Sequence, residues 1–352
     1  MRFFVGGYTQ DIRLVELDAT DSAFRVLATA ETPANASFLA WVPQTGMLYA
    51  TVETGSTAAD SGGLAAYRLY ASGALTLVSK TDSCGAAPCH LAVDAGTELV
   101  VAANYTGGSV TAVALHDDGT FAEQLACVQH QGSGPVTSRQ EAAHAHSAHI
   151  EPHSGGVYVC DLGTDTIQRY ELAAFRSVDR ERPESAAGTI AMRLSPGSGP
   201  RHIAFSDDGR HAYVITELAN TVIFCEHDIE QGILTQLQEL PLLPGTHDGG
   251  ALAAEIALHP SGKFLYASVR GPDRIVVFER DASRGLITPA GSFSSGGSWP
   301  RHLHLTHDGD SMLVANERSD RVCLFTIDSQ SGIGIPAKQF LDTPAPSCVI
   351  PL

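Results

Sequence analysis

Residues 200–217 read PRHIAFSDDGRHAYVITE, an apolar strand, an Asp-Gly turn and a second apolar strand that ends in an acidic residue. The same pattern recurs at 299–317 (WPRHLHLTHDGDSMLVANE), 253–270 (AAEIALHPSGKFLYASVR) and 88–105 (PCHLAVDAGTELVVAANY). Looser copies lie at 146–163 and 36–53. A segment that recurs at such an interval along a whole chain predicts a repeat architecture.

The interval can be measured on the position that His202 holds. Its equivalents are Phe38, His90, His149, Glu255 and His302, which gives steps of 52, 59, 53, 53 and 47 residues along the chain. A partial seventh copy, PAPSCVIPL, places Cys348 at this position, 46 residues further on. The N-terminal MRFFVGGYT reads as the second strand that this copy lacks. Seven repeats therefore close into a ring, and both termini build the last one.

Each repeat holds about four short strands. In the clearest copy they are HIAF, HAYVIT, TVIFCEHD and ILTQLQEL, separated by turn residues. Four strands per repeat in radial repetition predict an all-β seven-bladed β-propeller, with residues 1–352 as a single domain. A parallel β-helix is the structural alternative, although its rungs are usually shorter than these repeats.

Composition narrows the function classes. The 22 basic and 39 acidic side chains leave a formal charge of −17, which argues against a nucleic-acid partner. No apolar run approaches the roughly 20 residues of a membrane span, and the N-terminus does not read as a signal peptide. The seven scattered cysteines read as buried free thiols in a reducing cytoplasm, with Cys84 and Cys89 within reach of each other. The oligomeric state, monomer or small homo-oligomer, stays open.

Propeller geometry concentrates unusual side chains at one mouth of the channel. The first strand of a blade starts at this mouth and the second returns to it. The residues predicted to meet there are His90, Asn104, His144, His146, His149, Arg201, His202, Glu217, Asn220, Glu255, Arg270, Arg301, His302, Glu317 and Arg318. Buried arginines are costly unless they are paired or face an anion. We therefore expect an anionic ligand, while pairing of Arg201 and Arg270 with Glu217 and Glu255 is the purely structural interpretation.

The histidines of HAHSAHIEPH could in principle bind a metal. Strand alternation, however, places His144 and His146 on one face and His149 on the other. We therefore expect no metal and no other cofactor, and favour a general acid or base at the mouth over histidines that only cap a blade. The long segment 129–143 precedes this cluster, and we expect its Arg139 to close over the mouth.

These residues resemble the cytoplasmic seven-bladed lactonase family, which includes the propeller-type 6-phosphogluconolactonases and the fungal carboxy-muconate cyclases. The resemblance covers nearly the whole chain. It is carried by GGYT (6–9), LAVDAGTELVVAANYTGGSV (91–110), HAHSAHIEP (144–152) and above all GPRH with TELANTV (199–202 and 216–222). It implies lactone chemistry on a small anionic substrate, with His146, Arg201, Glu217 and Arg270 as the catalytic set. His144 and His146 could exchange roles.

The predicted function is hydrolysis of a sugar-acid lactone, 6-phosphogluconolactone first, with no nucleic-acid or membrane partner. The candidate substrate-binding residues are His144, His202, Asn220, Glu255, Arg301 and His302. Two alternatives stay open: a muconate cycloisomerase or other sugar lactonase, and a propeller that only binds a metabolite or protein. An interaction propeller would spread apolar residues over a face instead of gathering His, Arg and Glu in its channel.

Overall fold

The protein is described here by a computed structural model covering residues 1–18, 23–94, 96, 98–177, 186, 188–245 and 250–352. The first strands are β1 (Arg2–Gly7), β2 (Asp11–Leu17), β3 (Phe24–Glu31), β4 (Leu39–Val42), β5 (Met47–Val52), β6 (Gly63–Leu69), β7 (Leu75–Asp82), β8 (Pro88–Asp94), β9 (Leu99–Asn104), β10 (Ser109–Leu115), β11 (Phe121–Gln129), β12 (Ala145–Ile150), β13 (Gly156–Asp161) and β14 (Thr166–Glu171). The others are β15 (Thr189–Arg193), β16 (Pro200–Phe205), β17 (His211–Thr216), β18 (Thr221–Asp228), β19 (Ile233–Pro241), β20 (Leu252–Leu258), β21 (Phe264–Arg270), β22 (Arg274–Arg280), β23 (Ile287–Ser294), β24 (Pro300–Leu305), β25 (Ser311–Asn316), β26 (Arg321–Ile327), β27 (Gly334–Asp342) and β28 (Pro346–Pro351).

These strands form seven antiparallel four-stranded sheets, the blades of a propeller. Blades one to six are β4–β7, β8–β11, β12–β15, β16–β19, β20–β23 and β24–β27. Blade seven has the order β28-β1-β2-β3, so that the C-terminal strand pairs with the N-terminal one and Cys348 lies opposite Gly6. The predicted fold and its closure by both termini are confirmed. Within the described residues, helical structure is limited to the short helix α1 (Leu172–Arg176) and a 3₁₀ turn at Glu317–Ser319.

Packing between neighbouring blades holds the ring together. One apolar cluster joins Tyr158 and Cys160 of blade three to Ile203 and Val214 of blade four. These side chains are almost fully buried, and burying one Val, Leu or Ile contributes about 1.5–3 kcal/mol. Equivalent clusters lie between the other blades, which leaves only the innermost strands to line the channel.

The innermost strand carries an extra residue near its start in several blades. The pairing register shifts around Cys89 of β8, His146 of β12, Arg201 of β16 and Arg301 of β24. Such a β-bulge adds one residue to one strand and redirects its side chain. The bulges all lie at the mouth where the sequence predicted the polar residues to meet.

The bulge in β12 corrects the predicted register of blade three. Ser147 pairs with Cys160 as His202 pairs with Ile215, so Ser147, and not His149, is the equivalent of His202. His149 lies two residues further along the strand. The prediction that His146 and His149 lie on opposite faces is also wrong. The extra residue shifts the alternation, and both rings approach His202 in the channel.

The cysteines also differ in part from expectation. Cys84, just after β7, forms a disulfide with Cys127 of β11, across a Cα–Cα distance of 6.2 Å. Cys84 therefore does not pair with Cys89, which is buried in the channel wall as a free thiol. The other four free cysteines, Cys160, Cys225, Cys323 and Cys348, are buried as expected. No helix among the described residues is long and apolar enough to cross a membrane.

Candidate active site

Two rings of side chains meet at the mouth of the channel. The inner ring comes from the bulged positions, which include Cys89, His146, Arg201 and Arg301. The outer ring comes from the position at, or directly after, the end of each second strand: Tyr8, Glu53, Tyr105, Leu162, Glu217, Arg270 and Glu317. Because the blades repeat, residues far apart in sequence occupy equivalent places around one opening.

A cavity of about 270 Å³ lies between the two rings. Its walls are Glu53, Cys89, Tyr105, Arg139, His146, Glu217, Leu252, Arg270 and Arg301. Three arginines and two glutamates thus face one small space in a chain whose overall charge is −17. This local arrangement suits an anionic ligand in spite of the acidic surface.

Glu217 is the centre of the cationic half of this cavity. Its Oε1 accepts a hydrogen bond from Arg139 Nη2 at 2.5 Å, and its Oε2 lies 2.8 Å from Arg270 Nη2 and 3.2 Å from Arg201 Nε. Burial by itself would raise the pKa of Glu217, but the charges of Arg270, Arg201 and Arg139 outweigh it and hold the pKa well below its usual range. Glu217 is therefore an ionised anchor that fixes three arginines.

The two arginines of the predicted catalytic set are held on their other sides by the backbone of β20. Arg270 donates to the carbonyl of Leu252 at 3.2 Å and to that of Ala253 at 2.8 Å. Arg201 donates to the carbonyl of Ala254. Burial lowers the pKa of Arg270 to about 10, so that it remains charged at neutral pH. Both guanidinium groups are thereby positioned before any ligand arrives, which lowers the cost of ordering them.

His146 faces the same carboxylate. Its Nε2 lies 3.8 Å from Glu217 Oε2, and its Nδ1 lies 4.0 Å from Cys89 Sγ. Burial, reinforced by the charge of Arg201 and opposed by Glu217, holds the pKa of His146 well below 6.5. The imidazole is therefore neutral at neutral pH and can accept a proton from a bound water.

Arg139 reaches into the site from the segment 129–143, as expected from the sequence. It bridges Glu217 and the hydroxyl of Tyr105, which it meets at 3.1 Å, and its side chain is 31% exposed.

Replacing Arg139 with Ala should lower kcat/KM for the lactone expected from the sequence about 10- to 100-fold, mostly by raising KM. The reason is that a hydrogen bond to a charged group contributes about 1.5–3 kcal/mol. Steady-state kinetics on the purified variant measures this. An unchanged KM would show that Arg139 does not contribute to ligand binding.

Arg301 and Glu53 form the opposite half of the cavity. The guanidinium of Arg301 lies over the Tyr8 ring, 5.1 Å from its centroid, and 3.7 Å from Glu317 Oε2. The Tyr8 hydroxyl lies 3.3 Å from both carboxylate oxygens of Glu53. Arg301 was predicted as a site residue, whereas Glu53, Tyr8, Cys89 and Tyr105 were missed. A signal for Glu53 was present, because the looser repeat 36–53 ends in this glutamate as residues 200–217 end in Glu217.

Five of the six predicted substrate-binding residues, Glu255 among them and all except Arg301, lie outside the cavity wall. His144 stacks on Tyr105 and its Nδ1 lies 2.9 Å from the Tyr105 carbonyl, outside the cavity wall. Asn220 is a left-handed turn residue whose amide donates to the carbonyl of Ala251 at 2.9 Å. His202 and His302 lie below the cavity on either side of Glu255, at 2.8 and 3.6 Å from its carboxylate oxygens.

A plug of rings separates this mouth from the other one. Phe38 packs on His90 with ring centroids 3.9 Å apart, and His202 lies against both. Beyond the plug, a second cavity of about 540 Å³ is walled by His149, Phe205 and Leu258, among others. The substrate can therefore be expected on only one side of the plug, where the charged residues lie.

His90, His149 and His202 are the described residues best placed to bind a metal. Their possible ligand atoms lie within 4.8 Å of one another. However, Arg201 Nη1 lies 3.3 Å from His202 Nε2, and the Ala148 amide donates to His90 Nδ1 at 3.3 Å. A fixed cation beside His202 opposes a second one, and burial lowers the pKa of all three rings. We interpret them as neutral imidazoles that fill the channel.

Comparison with known proteins identifies the same fold and a family. A family model described as "Lactonase, 7-bladed beta-propeller" matches residues 2–351. The chain is 31% identical over 351 residues to a 6-phosphogluconolactonase of Bacillus subtilis (98% of this chain, 97% of the relative). It is 29% identical to a 6-phosphogluconolactonase of Formosa agariphila (94% and 93% covered). The structure of the Pseudomonas aeruginosa periplasmic gluconolactonase PpgL superposes with a TM-score of 0.88 at 29% identity (99% and 98% covered). The chain therefore belongs to the lactonase family of seven-bladed β-propellers.

Proposed function

We propose that this protein hydrolyses 6-phosphogluconolactone to 6-phosphogluconate in the cavity between the two rings, a step of the pentose phosphate pathway. The observation that carries the proposal is the cluster on Glu217: three arginines and a neutral imidazole gathered on one buried carboxylate at a small cavity. Relatives that share the whole chain length and are named for this reaction support the same substrate.

The reaction needs a nucleophile, and His146 is the group that generates it. Its neutral ring takes a proton from water while the water oxygen attacks the lactone carbonyl. Glu217, 3.8 Å from Nε2, stabilises the imidazolium that forms. No other imidazole lines the cavity wall among the described residues.

The attack places negative charge on the carbonyl oxygen. Arg201 and Arg270 supply donors that are already oriented by Glu217 and by the carbonyls of β20. Donors fixed in this way stabilise the tetrahedral oxyanion without reorganising during the reaction. Arg139, half-buried at the mouth, and Arg301 remain to hold the anionic end of the substrate. Arg301 makes no hydrogen bond to the described residues, and its acidic partner Glu317 lies 3.7 Å away.

A panel of three lactones tests the proposal: 6-phosphogluconolactone, unphosphorylated gluconolactone and a muconolactone. We expect the highest kcat/KM on the phosphorylated lactone, because two arginines remain for its phosphate. Preference for gluconolactone or for muconolactone would assign the substrate to those classes instead. A wild-type protein that accelerates none of the three would contradict lactonase activity and favour a propeller that only binds.

The pH profile tests the role of His146. Because burial holds its pKa well below 6.5, the ring stays neutral as the pH falls through 6.5. We therefore expect the acid limb of the profile, the fall in kcat/KM that protonation of His146 causes, to lie distinctly below pH 6.5. Initial rates in a series of buffers of constant ionic strength measure the profile. A midpoint of this acid limb at or above pH 6.5 would contradict the assignment of this buried histidine as the base.

We also propose that the enzyme acts in the cytoplasm. The five free, buried cysteines are typical of a reducing compartment, whereas the Cys84–Cys127 disulfide is typical of an oxidising one. Cell fractionation, combined with mass spectrometry of these two cysteines, tests the location. Recovery of the oxidised protein outside the cytoplasm would overturn it.

A further inference from the structure

Glu53 is a half-buried carboxyl group in the active-site cavity, and the steps above give it no role. It follows β5 directly, as Glu217 follows β17, so the two glutamates hold equivalent positions in blades one and four. Both glutamates line the same cavity, and His146 also lies in its wall. The repeat has thus placed a second carboxyl group in the wall of the cavity that Arg301 also lines.

The surroundings of the two glutamates are opposite in character. Glu217 has three guanidinium groups within 3.2 Å. The carboxyl group of Glu53 forms no ion pair within 4.0 Å in the part of the chain that the structure describes, and its hydrogen-bond partner is the Tyr8 hydroxyl at 3.3 Å. Glu217 is therefore committed to holding cations, whereas Glu53 is free to exchange a proton.

The charged and titratable groups around Glu53 come from four elements. They are Arg301 of β24, Arg201 of β16, Tyr8 after β1 and the Cys89 thiol of β8. Burial raises the pKa of Glu53, and the attraction of Arg301 and the hydrogen bond from Tyr8 offset this only in part. Burial also raises the pKa of Tyr8, which keeps its hydroxyl protonated. Two groups whose environments push their pKa values apart, such as His146 and Glu53, are suited to act as base and acid.

Opening a sugar lactone leaves a second problem after the attack of water. The ring oxygen departs as an alkoxide, which is a strong base and a poor leaving group unless it receives a proton. We propose that Glu53 is the general acid that protonates this ring oxygen as the bond to the carbonyl carbon breaks. The inference depends on the lactonase function proposed above, and it adds a catalytic residue to it.

The protons and bonds balance over the cycle. Water gives one proton to His146, and its oxygen forms a bond to the carbonyl carbon. The bond between this carbon and the ring oxygen then breaks, and the ring oxygen becomes a hydroxyl with the proton of Glu53. The acid group of the product returns a proton to Glu53 as it ionises, and His146 releases its proton to solvent. The net result is one carboxylate and one proton per lactone hydrolysed.

The test compares leaving groups in the Glu53→Gln variant, which keeps the size and polarity of the side chain. On gluconolactone or 6-phosphogluconolactone, kcat should fall about 10²- to 10⁴-fold, the usual contribution of a general acid. On dihydrocoumarin, whose phenolate leaves without protonation, kcat should change by less than about fivefold. Glu279→Gln, at an exposed glutamate of β22 outside both rings, is the matched control and should not change the ratio of the two rates.

Equal losses on both substrates would reduce Glu53 to a structural role, and full activity on the sugar lactone would overturn the inference outright. The pH profile gives a second readout that does not need dihydrocoumarin turnover. The wild type should lose kcat/KM on the sugar lactone as rising pH ionises Glu53, after subtraction of spontaneous hydrolysis. That limb should be absent in Glu53→Gln, and its persistence would contradict the proposal. A wild type without lactonase activity would instead contradict the proposed function itself.

Discussion

Replacing His146 with Ala should reduce kcat on the sugar lactone about 10²- to 10⁴-fold while the propeller stays folded, since this is what a general base contributes. The side chain lies at a bulge and lines a cavity, and its Nε2 contacts Glu217 only at 3.8 Å. Its removal therefore takes the base from the site without opening a cavity in the apolar layers between blades. Initial rates give kcat on the sugar lactone, and a thermal melt of the same sample shows whether the propeller is folded.

Two further variants separate the roles of the neighbouring histidines. His144→Ala removes the ring that stacks on Tyr105 outside the cavity wall. It should therefore lower kcat less than His146→Ala does. His304→Gln is the matched control, because this ring lies deeper on β24, where it stacks on His302 with centroids 6.4 Å apart. If His146→Ala keeps most of its turnover, or His144→Ala loses more, the assignment of the base is wrong.

Replacing Glu217 with Gln should destabilise the protein by about 3–5 kcal/mol, the usual effect of removing one partner from a buried ion cluster. The side chain is 3% exposed, and its loss would leave three arginines facing one another without an anion. Activity should fall as well, since Arg201 and Arg270 would lose the group that aims them. Urea denaturation of wild type and variant at neutral pH measures the difference in free energy of unfolding.

The pH dependence of this difference gives an independent check. The pKa of Glu217 is depressed in the folded state, so its contribution is present above its unfolded value of about 4.5 and is lost as the pH falls below it. The difference in free energy of unfolding between wild type and variant should therefore become smaller as the pH falls below 4.5. Glu317→Gln is the control, because its pair with Arg301 is 3.7 Å long and about 20% exposed, and it should cost at most about 1 kcal/mol. A loss for Glu217→Gln no larger than for this control would contradict the anchor role.

Much of the site could be predicted once the repeat was recognised. Strand alternation and ring closure bring Arg201, Glu217 and Arg270 to one mouth although up to 69 residues separate them. The structure places both arginines within 3.2 Å of the same carboxylate oxygen. Arg139 could be anticipated in the same way, because a long insertion before blade three begins at the mouth where the second strands end.

The amino-acid sequence by itself determined the number of blades, their closure by both termini and the end of the channel that carries the charged groups. These follow from periodicity, which is local and repeats. Only the tertiary structure decided that Ser147 replaces His149 at the His202 position and that Cys84 bonds Cys127. It also decided that Glu53 forms no ion pair with the described residues, while Glu217 holds three arginines. A bulge adds a residue without changing composition. The partners of a side chain across the channel depend on how far each blade turns around the ring, and distances of a few ångströms there decide which carboxyl group is an anchor and which can carry a proton.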